Sequence, residues 1–421
     1  VLMTWRAVRS ASRVRKGARR RSTVVDRVAC SMPAVPGLGT RFALEQDRRR
    51  GLAGGLAGIA GAALLVGGLV GVATVDHSRD HLLADTRLYG ADWDMQMGFF
   101  GIEDQAAAIE QLSADPDVEA MGTRSNLLAD NGEVPVRSDH GHFTAVPTAY
   151  QWYKGSRPPV VSAGRPPGAG EAAIGTELAG RLDVAMGDTV VVEGHDGDVP
   201  LRVTGWLVNP GSDELDAGLV VTPDTLEAMK GRDCPSGSDL ARCRINVEGG
   251  AVAFRDGADR DSAVARLLQV QPTLEPVPMP SVVHNVGQIG STPWLLAGFL
   301  ALIGAAGLAH SLVVGVRRRR HDVAVVRALG LRPVQARSIV HWQATVLAVL
   351  GAALGLVVGL VIGRLVWQRI VHGVGALVAV DVPPPVVILA PLLALGLALA
   401  LSALSGRPAA NLRPALELRA E

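Results

Sequence analysis

The chain has 421 residues, of which 48% are hydrophobic, 4% aromatic and 19% charged, enough for two or three domains. Basic and acidic residues nearly cancel, 41 against 40, but they are segregated: residues 1–50 carry 13 and 3, residues 76–293 carry 16 and 33, and residues 317–337 carry 7 and 1. Such blocks, set between long uncharged stretches, exclude a soluble globular protein and point to a membrane protein.

In chain order, residues 1–50 form a basic N-terminal segment. The chain opens on Val with Met3 close behind, so its numbering starts at an alternative start or inside a longer reading frame. Residues 51–75 carry no charge and form the first expected transmembrane helix, since about 20 apolar residues cross the hydrocarbon. It is read as a retained anchor, because a cleaved signal has an apolar core of only about 7–15 residues.

Residues 76–292 read as a large α+β domain. Glu103–Ala114 and Asp259–Gln271 have helical character, the latter with Val264, Leu267, Leu268 and Gln271 on related faces. Thr189–Glu193, Val199–Val208 and Gly218–Thr222 are β-branched runs bounded by turn residues. The expectation is a small β-rich subdomain inserted into an α/β frame. Cys234 and Cys243 flank a Gly/Ser/Asp loop. In an oxidising compartment they read as a disulfide, the alternative being two free thiols; Cys30 stands alone. His77 and His81 near Asp76, Asp80 and Asp85 read as a solvated stalk face, and Asp139, His140 and His142 as a polar loop, with metal binding the weaker alternative at each.

Residues 293–316, 339–363 and 385–405 supply three further spans, giving a four-helix multi-pass protein. His310, inside the second, reads as a packing residue. Residues 317–338 form a basic loop with a short amphipathic helix, in which Val323, Val326 and Leu329 mark one face and Gly330 its stop. In the third span Gly351, Gly355, Gly359 and Gly363 make one smooth face that lets helices approach closely, either within the chain or between copies. Residues 364–384 are a short loop and residues 406–421 a tail. The positive-inside rule puts the arginine-rich segments and both termini in the cytoplasm of a cell-membrane protein, and the acidic domain outside. Trp294, Trp342 and Trp367 fall at span ends, where indole rings favour the interface.

Chemistry is sparse. There is no GxxxxGK[ST] phosphate loop, no HExxH and no GxSxG, so the chain is expected to be no enzyme and to hold no metal or cofactor. The spans contain no Asp or Glu, which weighs against a proton-coupled carrier.

The segment RRRRHDVAVVRALGLRPVQARSIVHWQA, followed by a glycine-rich span, resembles the signature of FtsX-like permeases, the membrane subunits of MacB/LolCDE-type ABC transporters. Arg327, Ala328, Leu329 and Gly330 match its RALG core. Asp322 stands where Glu is usual, Ala324 where Gly is usual, and Gln343-Ala344 where Glu-Ala is common. VVSAGRPPGAGEAAIGTELAGRLDVAMGDTVVV (Val160–Val192) resembles the core of the MacB-type external domain, and the tail RPAANLRPALELRAE resembles the family's ending.

The resemblance implies a non-catalytic subunit that works as a dimer with a cytoplasmic ATPase, which binds the ATP. It makes Asp322, Val323, Val326 and Arg327 to Gly330 the coupling element. The partners it implies are that ATPase, a second permease subunit and membrane lipid, with no nucleic acid. The 218-residue outer block favours the transporter branch over an FtsX-type regulator of cell-wall enzymes, whose outer domain is much shorter. Residues 1–50 also resemble the link between the halves of eight-span, actinobacterial-looking relatives, a likeness that fits the preference for arginine over lysine, 38 to 3. A complete four-span subunit that forms homodimers is the reading kept.

Overall fold

A computed structural model describes residues 31–44, 53–98, 105–127, 133–194, 197–210, 215–230, 245–318 and 333–410. The N-terminal part holds α1 (Ala34–Leu44), α2 (Ala53–Ala84), a 3-10 turn (Thr86–Tyr89), β1 (Met95–Gly98), α3 (Gln105–Ala114) and β2 (Val118–Leu127). Next come β3 (Val134–Arg137), β4 (His142–Ala145), β5 (Pro147–Lys154), β6 (Val161–Gly164), β7 (Glu171–Gly175), α4 (Thr176–Leu182), β8 (Thr189–Gly194) and β9 (Gly197–Leu207). The rest comprises β10 (Leu219–Val221), α5 (Pro223–Met229), β11 (Ile245–Phe254), α6 (Arg260–Val270), β12 (Glu275–Pro276), α7 (Ser281–Gly287), α8 (Thr292–Arg318), α9 (Pro333–His372) and α10 (Pro384–Ala410).

These elements divide into two compact units. One contains α1, α2 as far as His77, α8, α9 as far as Leu365, and α10; the other contains residues 78–290 and 366–381.

The first unit is a helix bundle. Among the described residues, four helical stretches are long and apolar enough to cross a membrane: Gly55–Ala84, Ser281–Gly315, Arg337–His372 and Pro384–Leu404. Leu65, Val66 and Val70 of α2 are buried with Ala352 of α9 and with Ala390 and Ala394 of α10. Leu308 and Leu312 of α8 pack with Leu347 of α9 and Ala398 of α10. On the outside, Leu295, Phe299 and Leu302 of α8 and Ile388, Leu389 and Leu392 of α10 are exposed. Water would not tolerate so continuous an apolar surface; hydrocarbon does.

Two helices outrun the spans expected from charge, which ended at residues 75 and 363. α2 has 32 residues and α9 has 40, about 48 and 60 Å at 1.5 Å per residue. The reason is physical: Asp76 and Arg364 mark the edge of an apolar run, but neither breaks a helix. α9 ends only where Gly373 and the left-handed Gly375 (φ +76°) follow, and α2 where Asp85 caps the next turn.

The second unit carries one mixed sheet in the order β12-β1-β11-β2-β5-β10-β7-β9-β8-β3-β4, with β6 paired to β9. β5 and β10 are parallel, as are β7 and β9; the other pairs are antiparallel. The expected inserted subdomain is therefore part of a single hydrogen-bonded path. Its apolar clusters include one around Leu112, Met121, Val252 and Leu267 and one around Ile174, Leu178, Leu201, Leu219 and Leu226. In α6 the inward residues are Ala263 and Leu267, whereas Leu268, expected on the same face, is exposed. A turn of 3.6 residues carries position 268 about 100° away from 267.

Arg266 of α6 clamps the turn between α3 and β2, donating to both carboxylate oxygens of Asp115 at 3.1 and 3.2 Å and also reaching Asp117. That hydrogen bonding holds the Asp115 carboxyl below its usual range. A carboxylate lowered in the folded state contributes stability above its unfolded value, about 3.9, and the contribution is lost as pH falls through the folded value. Thermal midpoints measured from about pH 6 down to about pH 3 should therefore fall, and fall less steeply in Arg266→Gln. Parallel curves for the two proteins would remove this pair from the acid response.

Candidate functional site

Glycines bring helix backbones of the bundle into close contact. A β-carbon added at Gly351 would lie 2.6 Å from the Ile59 carbonyl oxygen, at Gly355 2.5 Å from that of Ala63, at Gly359 2.7 Å from that of Gly67, and at Gly363 2.8 Å from that of Gly71. The four-residue repeat of α9 thus forms a seam against α2 of the same chain. A second seam joins α2 to α8, where a β-carbon at Gly61 would meet the Gly304 oxygen at 2.6 Å. Contact without intervening side chains allows large areas of helix surface to meet where no hydrophobic force drives association.

The three tryptophans expected at span ends have different surroundings. Trp294 is exposed, and its indole N–H donates to Asp76 at 2.9 Å. Trp342 donates to Thr40 Oγ1 at 3.0 Å, tying α1 to α9. Trp367 is buried within the second unit and donates to the Ala379 carbonyl at 2.6 Å. There it closes residues 366–381 on themselves. The same segment is held within that unit by Leu377 N–H on the Leu88 carbonyl at 2.8 Å. Ser78 Oγ adds two bonds to the Asp381 backbone, at 3.1 and 2.9 Å. Gly375 packs so closely on Asp216 that a β-carbon would come within 2.6 Å of Asp216 Cβ.

His310, expected to be a packing residue, is exposed on α8 on the same side as Phe299, Leu302 and Ile303. Among the described residues no three His, Cys, Asp or Glu side chains come together as metal ligands. His81 instead lies 3.9 Å from Asp85 and 4.0 Å from Asp381. The residues expected to couple to an ATPase, Asp322, Val323, Val326, Arg327, Ala328, Leu329 and Gly330, lie outside the described residues, as do Cys234 and Cys243.

The GRPPGAGE stretch has a structural reason. Arg165 grips Glu171 with two parallel bonds of 2.7 and 2.6 Å, and the Gly168 N–H donates to the same carboxylate at 2.9 Å. The guanidinium holds the Glu171 carboxyl below its usual range. Further along, Gly187 adopts φ +99°, and the Asp188 carboxylate accepts from the Ala185 N–H at 2.8 Å, which makes MGD a tight turn into β8.

A polar cluster that no sequence signal singled out sits on one face of β2, β5 and β11. Between Val247 and Gly249 the register of β11 against β2 slips by one residue, leaving Glu248 as the extra residue of a bulge. Bulges re-aim side chains, and here Glu248 meets Arg124 at 2.9 Å and the Asn126 amide nitrogen at 2.5 Å. Arg124 and Asn126 are two apart on β2 and so share a face, opposite Tyr150 and Thr148 of β5. Burial pushes the Tyr150 phenol above its ordinary value.

Two cavities share this Arg124–Glu248 pair. The larger, about 430 Å³, reaches Phe143 of β4 and Glu177 and Arg181 of α4. The smaller, about 170 Å³, is lined by Trp93 and Tyr150. One lining residue of each has a buried polar atom with no hydrogen-bond partner among the described residues, Asn126 Oδ1 beside the larger and Trp93 Nε1 beside the smaller, and neither atom is open to solvent. An orphan of this kind costs about 1–3 kcal/mol.

Two family models match the chain. Residues 51–270 match the MacB-like periplasmic core domain, and residues 294–414 match the FtsX-like permease C-terminal model. No curated protein matches the chain.

Proposed function

Because the chain belongs to the FtsX/MacB-type ABC transporter permeases, we propose that it is the subunit that turns ATP hydrolysis in a separate ATPase into motion of the α+β domain. It is a multi-pass membrane protein with that domain between its first and second apolar helices, and its families are those of membrane subunits. Both termini and residues 317–338 face the cytoplasm in this reading, and residues 76–292 face outward. The motion serves export, acting on substrate outside the membrane. The working unit is a dimer of permease subunits in lipid, and ATP is held only by the partner ATPase.

One observation carries the reading. α2 and α9 each contribute residues to both compact units, so the chain has two uninterrupted helices along which a displacement can travel. Helices transmit axial force because every backbone hydrogen bond is satisfied along their length. The glycine seam binds these same two helices together, which favours their moving as a pair. The coupling element is assigned to Asp322, Val323, Val326 and Arg327 to Gly330, where an apolar face beside a strong cation suits a protein groove with an acidic rim.

The test is association. Arg327→Glu combined with Leu329→Asp should leave the protein inserted but abolish co-purification with its partner ATPase subunit, because the variant buries two carboxylates where an apolar residue and a cation are wanted. Retained association together with unchanged ATPase stimulation would take this loop out of the mechanism.

A further inference from the structure

We infer that the outer face of α8, along Leu296, Phe299, Ile303, Ala306, His310 and Val313, is where the chain meets a second copy of itself, the two His310 rings hydrogen-bonded to one another. The inference rests on the dimer proposed above and supplies its contact face.

One side chain carries it. Among the described residues of 293–316, 339–363 and 385–405, every exposed side chain is apolar except His310 and the indole of Trp294, and Trp294 has its partner in Asp76. His310 makes no hydrogen bond or ion pair among the described residues. Lipid tails offer the ring no partner. Nor can it reach the membrane surface: seven residues short of Arg317, it lies about 10 Å from it along the helix axis at 1.5 Å per residue. The side chains that snorkel over such distances are the long ones of Lys and Arg. An ionisable residue at this depth belongs against protein or a water-filled cavity.

The ring also selects the occupant. A neutral imidazole has one N–H donor and one acceptor nitrogen, so two of them complete a bond between themselves. Two copies inserted in the same direction hold His310 at the same depth. A two-fold axis along the membrane normal then brings a residue beside it against its own counterpart. A different membrane protein would need a matching polar group at that one depth. The glycine repeat of α9, the other face suited to a copy, is already spent on α2 of the same chain.

The six positions alternate intervals of three and four residues and all are exposed, the 3.5-residue repeat along which two helices wrap around each other. Ala306, one turn before His310, lets the backbones approach. A single polar residue in such a seam fixes the register.

The test uses the full chain in membranes of a host that supplies no partner ATPase. Under mild oxidation Ala306→Cys should give a disulfide-linked species of twice the chain mass. Leu392→Cys, on the exposed face of α10, should give no more than the parent with its own cysteines. Subunit counting in liposomes should show His310→Leu dimerising about three- to thirtyfold more weakly, the range of interhelical hydrogen bonds in membranes. His310→Asn, whose amide also pairs with itself, should recover most of the loss. In excess detergent, where the chain is monomeric, the thermal midpoints of both His310 variants should equal the parent's, because the ring faces out of the bundle. A dimer that links through Leu392→Cys and not Ala306→Cys, a link to a protein of another mass, or indifference to His310→Leu overturns the inference and leaves the dimer standing. A chain that stays monomeric in every membrane sample overturns both.

Discussion

Replacing Gly355 with leucine should abolish the packed helix bundle, seen as a steep fall in the thermal midpoint of the detergent-solubilised chain. The new β-carbon would lie 2.5 Å from the Ala63 carbonyl oxygen and 2.9 Å from Ala63 Cα, and the rest of the side chain would have no room behind it. Both contacts are backbone, so no rotamer change relieves them. Overpacking a core by a methylene or two costs about 1–3 kcal/mol, and a leucine driven between two helix backbones should exceed that. Inside a bilayer the loss is not made up by solvent, because lipid tails match an exposed leucine as well as protein does. Gly396→Leu is the control: on α10 an added β-carbon meets nothing within 4 Å, and its midpoint should stay at that of the parent. Equal midpoints for the two variants would mean that the seam does not hold α2 to α9.

Trp367→Ala should release residues 366–381 from the α+β domain. The indole is 1% exposed and is among the largest fully buried side chains, so truncation should cost about 3–5 kcal/mol. The lost bond to Ala379 also opens the loop that carries Gly375 to Asp216 and Leu377 to Leu88. Limited proteolysis should then cut within 366–381, where the parent chain is protected. Trp367→Phe keeps most of the ring and loses only the hydrogen bond, about 1 kcal/mol, so it should stay protected. An uncut Trp367→Ala chain would mean that the bonds to Ser78 and Leu88 suffice. On the transmission reading the alanine variant should also lose substrate-linked ATPase stimulation, since α9 would end without its grip on the domain.

Several features were legible in the residues alone. Charge-free runs longer than 20 residues announced four apolar helices, and the RALG and GRPPGAGE stretches carried a family likeness that the two matching family models share. The four-residue glycine repeat of α9 announced a close helix contact. These are local properties: lipid selects on the hydropathy of a continuous segment, and a tight turn selects on the few residues inside it. Even the reach of Arg165 to Glu171 spans a single loop.

Other features were settled only by the folded chain. The glycine repeat is equally suited to a second copy or to α2, and sequence spacing carries no information about which surface will face it. The ends of α2 and α9 lie beyond the charges that bound their apolar runs, because a charged residue marks the limit of hydrocarbon without stopping a helix. Trp367 finds its partner in the Ala379 carbonyl, twelve residues on and beyond the apolar run, where hydropathy carries no information. Leu268 looked inward until the turn of α6 was set by Ala263 and Leu267. The Arg124–Asn126–Glu248 cluster left no trace in the sequence at all. Its members come from strands more than 120 residues apart, and the one-residue slip that brings Glu248 to them is a property of the pairing between two strands, which exists only once both are in the sheet.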